Sequence, residues 1–324
     1  MKTILITGCA GFIGFHLATS LLEKKYRVIG VDNLNDYYSR ILKKDRLKIL
    51  KKHRNFVFHR VDISNEEKVN TLFSNYKIDK VCHLAAQAGV RYSLENPLQY
   101  IDSNIRGFVI VLECMRKHNV KNIVYASSSS VYGDREIDSG FAEKDRCDSP
   151  ASLYAVTKRT DELIAYVYHS LYSFRCTGIR FFSVYGPWGR PDMAYFSFTK
   201  AILEGKIIRV FNFGKSKRDF TYIDDVIPSL VLSVEKMLPW DIINLGHSMP
   251  VTVLKMIEIL EKELGKKARV KLISKQPGDV LVTYADIGHA RKILGYRPDI
   301  SIGEGLRLFV NWYKEYYVKN ATDN

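Results

Sequence analysis

An apolar strand that runs directly into spaced glycines and then into an amphipathic helix constrains this chain more than any other feature. Ile4-Leu-Ile-Thr7 feeds Gly8-x-x-Gly11-x-x-Gly14, and apolar periodicity predicts a helix from Phe12 to Lys24. Glycines allow a tight turn and close approach of backbone to a pyrophosphate, whose charge meets the positive end of the helix. The spacing is one residue longer than the G-x-G-x-x-G pattern, so the turn alone is only suggestive. Asp32 strengthens it, because it ends the second predicted strand 18 residues beyond Gly14. A carboxylate there accepts from ribose hydroxyls and repels a 2′-phosphate, which favours NAD over NADP. The bland alternative is that Asp32 merely opens the turn through Asn33 and Asn35.

The first half of the chain repeats this rhythm. Strands are predicted at 2–7, 27–32, 55–61, 80–84, 122–127 and 176–182, with helices at 12–24, 66–75, 97–118 and 152–172. Alternation of this kind specifies an α/β fold, a Rossmann-type doubly wound parallel sheet. After Phe182 the rhythm changes, and residues 183–191, with two glycines and two prolines, read as an irregular loop. Further α/β pieces come after it: a helix near 195–204, a strand near 207–213, a helix capped by Asp224 or Asp225 and running to about Lys236, and helices near 252–264 and 302–317. The expected division is a NAD-binding domain over 1–182 and a smaller second domain over 183–324, packed over the C-terminal ends of the sheet. Parts of 214–248 are free to return to the first.

Composition adds limits. A chain of 324 residues buries a large core, and its apolar runs are too short and too charged to span a membrane. It enters its first strand at once, with no room for a signal peptide, so the cytoplasm is the expected compartment. Five scattered cysteines without a C-x-x-C pair read as small buried hydrophobes, and eight histidines form no cluster that suggests a metal site. The net charge of +14 is unusual. Part of it lies in Arg40–Arg54, where eight basic residues meet one acid, Asp45. A solvated helix with one buried stripe explains that segment; attraction to an anionic lipid or polymer is the sharper alternative. No nucleic-acid recognition motif accompanies the charge.

Candidate chemistry falls at the ends of the predicted strands. Asp62 and Ile63 follow the third, within reach of an adenine. Leu84-Ala85-Ala86-Gln87 follows the fourth, where small residues let backbone lie against a dinucleotide. Ser127, Ser128, Ser129 and Ser130 end the fifth, at the mouth of the cleft, and offer uncharged hydroxyls suited to a polar or anionic sugar. Tyr154 and Lys158 stand four apart, on one face of a predicted helix. A phenol is a poor base at neutrality. A fixed ammonium and a cationic nicotinamide ring favour the phenolate, and lowering its pKa by ~3 units takes about 4 kcal/mol. Tyr154 is therefore a candidate acceptor of a sugar hydroxyl proton.

These residues add up to a resemblance over nearly the whole chain. The segments TGCAGFIG, VDNLNDYYSR, HLAAQAGVRYS, YASSSSVYG, SLYAVTK, RFFSVYGPWGRPDM, RDFTYIDD and QPGD resemble those of the extended short-chain dehydrogenase/reductases, and among them the UDP-glucuronate 4-epimerases. The resemblance implies that Tyr154 is the base, that Lys158 binds the nicotinamide ribose, and that Ser128 bonds the reacting sugar. Ser129 and Ser130 take positions where related 4,6-dehydratases carry an Asp-Glu pair, so dehydration is disfavoured. For the cofactor, NAD, the pattern implies Gly8, Gly11, Phe12, Ile13, Gly14, Asp32, Asn33, Asn35, Asp62, Ile63, Leu84, Ala85, Ala86, Gln87, Asn104, Ser127 and Phe181 besides the Tyr154/Lys158 pair. For a UDP-sugar it implies Arg91, Arg190, Arg218 and Asp279, with Val210 and Phe211 against uracil. Ser183 replaces the threonine usual among the epimerases. The implied reaction is NAD-dependent interconversion of UDP-glucuronate and UDP-galacturonate, in a homodimer. Decarboxylation of UDP-glucuronate, epimerisation of another UDP-sugar, and a catalytically silent NAD-binding regulator are the alternatives.

Overall fold

The computed structural model describes residues 1–134, 139–275 and 280–319. In chain order the first elements are β1 (Thr3–Thr7), α1 (Phe12–Glu23), β2 (Arg27–Asp32), α2 (Arg40–Leu50), β3 (Phe56–Arg60), α3 (Glu66–Asn75), β4 (Lys80–His83), α4 (Tyr92–Glu95), α5 (Pro97–Tyr100), α6 (Gly107–Lys117), β5 (Asn122–Ser128), α7 (Leu153–Tyr172) and β6 (Arg175–Phe181). After these come β7 (Ser183–Tyr185), α8 (Ala194–Glu204), β8 (Ile207–Val210), β9 (Lys217–Tyr222), α9 (Ile223–Lys236), β10 (Trp240–Leu245), β11 (Pro250–Thr252), α10 (Val253–Leu264), β12 (Arg269–Leu272), β13 (Val282–Thr283), α11 (Gly288–Leu294) and α12 (Ile302–Tyr313).

Seven strands make one parallel sheet in the order β10-β6-β5-β4-β1-β2-β3, the doubly wound arrangement the alternation predicts. Successive side chains of a strand point to opposite faces. Accordingly Ile4 and Ile6 enter one apolar core and Leu5, between them, enters the other. The first core continues without a break into the C-terminal helices through Leu306, Phe309 and Val310. The second packs α3 and α6 on the opposite face through Leu72, Phe108 and Met115. Strand order reverses at β1, whose neighbours are β2 and β4, and ligand crevices open at such switch points.

Beyond β6 the chain builds small sheets over the C-terminal ends of these strands. β9 pairs with β7, β11 and β13, and β12 pairs with β8. α9 and β10 then return to the large sheet, β10 closing its edge beside β6.

Several elements differ from the sequence-based expectation. The helix expected at 97–118 is interrupted by a π-helical segment, Ile101–Arg106, between α5 and α6. The stretch expected to be irregular contains β7. β8 stops at Val210, because Asn212 and Phe213 both take left-handed backbone (φ 50°) that no strand accommodates. Neither Asp224 nor Asp225 caps α9; both lie in its first turn, and the Asp225 carboxylate instead accepts from the backbone N–H groups of Asp299 and Ile300. Among the described residues no helix is long and apolar enough to cross a membrane.

Candidate active site

The glycine turn is shaped by crowding of backbone against backbone. A Cβ on Gly8 would lie 2.7 Å from the Ala85 nitrogen, and one on Gly14 would run into the Gly8 carbonyl oxygen. Gly8 also sits at φ +74°, which favours glycine. The ends of β1 and β4 can therefore converge, and α1 begins directly against the turn. Its N-terminus has no side-chain cap and no acid in its first turn, so positive potential faces the crevice.

A cleft of about 710 Å3 opens there, within the range of small-molecule sites. It is lined from one side by Gly8, Gly11, Phe12, Ile13, Gly14, Asp32, Asn33, Asn35, Asp62, Ile63, Leu84, Ala85, Ala86 and Gln87. Ser127, Ser128, Ser129, Ser130, Tyr154, Lys158 and Phe181 form its floor, and Arg91, Ser183, Arg190, Val210, Phe211 and Arg218 its far wall. Asn104 is absent from the lining, and Asp279 lies outside the described residues. Asn104 instead clamps the Gln87 backbone, accepting its N–H (2.7 Å), donating to its carbonyl (3.0 Å), and donating to Thr157 Oγ1 on α7 (2.9 Å). The π-helical segment carries Asn104, and irregularities of this kind recur at functional sites.

The sugar-facing floor combines three elements. Ser152 caps α7 by accepting from Ala155 N–H, which starts the helix so that Tyr154 and Lys158 share the cleft face. The Lys158 ammonium donates to the Ala126 carbonyl (2.9 Å) and to Asp161 Oδ2 (3.1 Å), leaving one of its three donors for the cleft. Ser128 Oγ accepts from Ser130 N–H (3.2 Å) and from the Ser130 hydroxyl (3.0 Å), so its own proton remains to be donated. Ser127 differs, because its proton is committed to Glu162 Oε1 (2.6 Å).

Charge is arranged around this floor. Burial raises the Asp32 carboxyl above its ordinary value, and nearby Lys43 opposes that rise. Asp32 accepts from the backbone of Ala10 (3.2 Å) and Leu34 (2.8 Å), which leaves lone pairs for a further donor. Burial also raises Asp62, but bonds from Asn33 and Ser64 outweigh it and leave its carboxyl below the ordinary value. Arg190 forks onto Asp192 (3.0 and 2.5 Å), and Tyr37 donates to the same carboxylate (3.2 Å). Arg91 stacks over the Phe211 ring at 3.9 Å across the mouth. Arg218 Nη1 donates to the carbonyls of Lys217 (2.9 Å) and Leu281 (3.3 Å).

Sequence reasoning missed two cations. Lys43 lines the cleft, its ammonium on the carbonyl and side-chain oxygens of Asn35 (3.0 and 2.6 Å). Arg46 is fully buried, and its guanidinium donates to the Ala10 carbonyl in the glycine turn (2.7 Å), the Tyr38 hydroxyl (2.8 Å) and the carbonyls of Trp188 (2.5 Å) and Gly189 (3.1 Å). The signal was present: Lys43 and Arg46 share the helix face of Leu42, Leu47 and Leu50, and the charge run hid it.

A dinucleotide suits these residues. The uncapped start of α1 and the glycine cradle fit a diphosphate, and Asp32 fits ribose hydroxyls. Gln87 Nε2 is a buried donor with no partner among the described residues, which a ligand's acceptor would satisfy.

Fold and site define a dinucleotide-binding protein of the Rossmann type. Residues 4–246 match the model of the NAD dependent epimerase/dehydratase family, and the chain belongs to that family. It is 48% identical over 316 residues to a UDP-glucuronate 4-epimerase of Thermodesulfobacterium geofontis, covering 97% of both chains. Among solved structures it is similar to the UDP-glucuronic acid 4-epimerase of Bacillus cereus in complex with UDP-glucuronic acid and NAD. That likeness has a TM-score of 0.91 at 36% identity, over 98% of this chain and 100% of the other. A dTDP-glucose 4,6-dehydratase of Streptomyces venezuelae has a TM-score of 0.90 at 26% identity, over 98% of both chains.

Proposed function

We propose that this protein is an NAD-dependent epimerase that interconverts UDP-glucuronate and UDP-galacturonate at C4. One observation carries the reading: the Tyr154/Lys158 pair and a neutral serine turn share one cleft with the glycine cradle. On this reading residues 1–182, with the returning 223–245 segment, hold the cofactor, and the rest of 183–324 holds the nucleotide sugar. NAD, when bound, supplies an acceptor and then a donor of hydride at C4.

Tyr154 takes the proton of the C4 hydroxyl, helped by the Lys158 ammonium, while Ser128 donates to the same oxygen. The 4-keto sugar then turns about its diphosphate link, which Arg218 and Asp279 keep anchored, and Tyr154 returns its proton after C4 is reduced from the other face. A 4-keto glucuronate is a β-keto acid and loses CO2 when its carboxylate bond aligns with the carbonyl π system. Ser128, Ser129, Ser130 and Ser183 hold the carboxylate out of that alignment, and Arg190, fixed by Asp192, balances its charge. Carboxylates in the serine positions would oppose such a substrate.

The protein works in the cytoplasm on this reading, in keeping with its five scattered, buried cysteines. It is a homodimer, paired through the exposed apolar face of α7. The test is to incubate it with NAD and UDP-glucuronate and separate the products. UDP-galacturonate supports the reading, UDP-pentose replaces it with decarboxylation, and absence of turnover favours a silent NAD-binding regulator.

A further inference from the structure

Lys158 is held from behind by a residue the chemistry above does not use. Asp161, one turn along α7, is 1% exposed and absent from the cleft lining; its Oδ2 accepts from Lys158 (3.1 Å). Its other oxygen, Oδ1, is buried and has no hydrogen-bond partner among the described residues. A structural ion pair usually satisfies both carboxylate oxygens, because a half-satisfied buried anion is costly. The unpaired oxygen indicates that this carboxylate is kept for its charge. We propose that Asp161 is a positioning residue for Lys158, fixing the ammonium and offsetting its charge, and so setting how strongly that ammonium favours the Tyr154 phenolate. The inference rests on Tyr154 acting as the base.

The surrounding groups single out Asp161 as the anion that counts. On its own helix, Glu162 is already neutralised by Arg180 of β6 (2.7 and 2.8 Å) and by Arg159 (2.9 Å). From β4, His83 faces Lys158, but burial pushes its pKa down to about 3, so it stays neutral at working pH. From β5, the Tyr125 phenol and, from β6, the Cys176 thiol are both raised by burial and stay uncharged. Burial pushes the Asp161 carboxyl up to about 6, with Lys158 opposing the rise. Above that pH the anion is present and tempers the ammonium; below it the ammonium acts at full strength.

The experiment uses NAD-loaded enzyme. The ultraviolet phenolate signal of Tyr154 is isolated by subtracting the titration of the matching Tyr154→Phe protein. In Asp161→Asn the phenolate signal should appear about one pH unit lower than in wild type, as removal of a nearby buried charge predicts. The acidic limb of kcat should move with it, and the KM for UDP-glucuronate should not. Asp161→Glu should return both to the wild-type position, and Asp161→Ser replaces the amide if that variant does not fold. A midpoint that stays put or rises in the folded neutral variant overturns the role of Asp161. Turnover that survives in Tyr154→Phe overturns the underlying reading instead.

Discussion

At the scale of single residues, the proposed reaction assigns proton transfer and control of the product to two separate groups. Tyr154→Phe removes the phenolic oxygen proposed to take the C4 proton and keeps the aromatic ring in the cleft lining. Its kcat should fall by ~10^2 to 10^4, the usual worth of a positioned acid–base group, while NAD still co-purifies. Equilibrium dialysis of the cofactor beside the activity assay checks both halves. The serines are assigned to a later hazard, loss of CO2 from the keto acid. Replacing Ser129 and Ser183 with alanine should release UDP-pentose at several times the wild-type share, because the keto acid is no longer held out of alignment. Chromatography of the products decides it; an unchanged share means the hydroxyls do not restrain the carboxylate. Most residues of this cleft were legible in the sequence, since strand ends converge on one crevice and many of the candidates follow a strand, with Tyr154 and Lys158 on α7. Asn104 was not, because its assignment to the cofactor came from the resemblance, and only the geometry shows it bonding the Gln87 backbone and Thr157.

At the scale of elements, α2 shows where a sequence pattern misleads. Its run of basic residues reads as solvated, yet Lys43 and Arg46 turn inward with Leu42, Leu47 and Leu50. A buried guanidinium needs acceptors, and Arg46 finds them in two separate loops, at Ala10 and at Trp188–Gly189. Nothing local in the sequence announces partners 36 and 142 positions away. Arg46→Met keeps the bulk and removes the donors. It should lower stability by about 3 kcal/mol and weaken NAD binding, since the Ala10 carbonyl and the loop at Gly189 lose their common tie. Denaturant titration with and without NAD measures both effects. The second buried knot, on α7 and β6, carries a pH signature. Burial works to raise the Glu162 carboxyl, but Arg180, Ser127 and Arg159 outweigh it and leave its pKa below the ordinary 4.5. A lowered folded pKa means that the stabilisation is complete above the unfolded value. It drains as pH falls through the folded one. Glu162→Gln should therefore cost about 3 to 5 kcal/mol at neutral pH and lessen the acid sensitivity of folding. Chemical denaturation at pH 7 and below pH 4 tests that convergence.

At the scale of the whole molecule, α7 is inside out for a monomer. Its buried face carries Lys158, Asp161 and Glu162, while Val156, Leu163, Tyr166, Val167 and Leu171 stand exposed, Leu171 at 66%. Amphipathic helices on a lone globule place their apolar stripe toward the core. Two demands meet here. The inward face must present Lys158 to the cleft and anchor it with charged partners, so the apolar residues are left facing outward. Leu94, Leu98 and Ile101, on the adjoining α4, α5 and π-helical segment, extend the exposed apolar surface. A contiguous apolar patch beyond a few hundred Å2 marks an association surface, and a second copy offers an identical patch for a two-fold pairing. Charge placed at its centre opposes that pairing without touching the cleft. Leu163→Glu with Val167→Glu should therefore sediment at half the wild-type mass while keeping its far-ultraviolet circular dichroism. A wild-type protein that already sediments as a monomer at micromolar concentration would show that the outward face of α7 has no partner of its own kind.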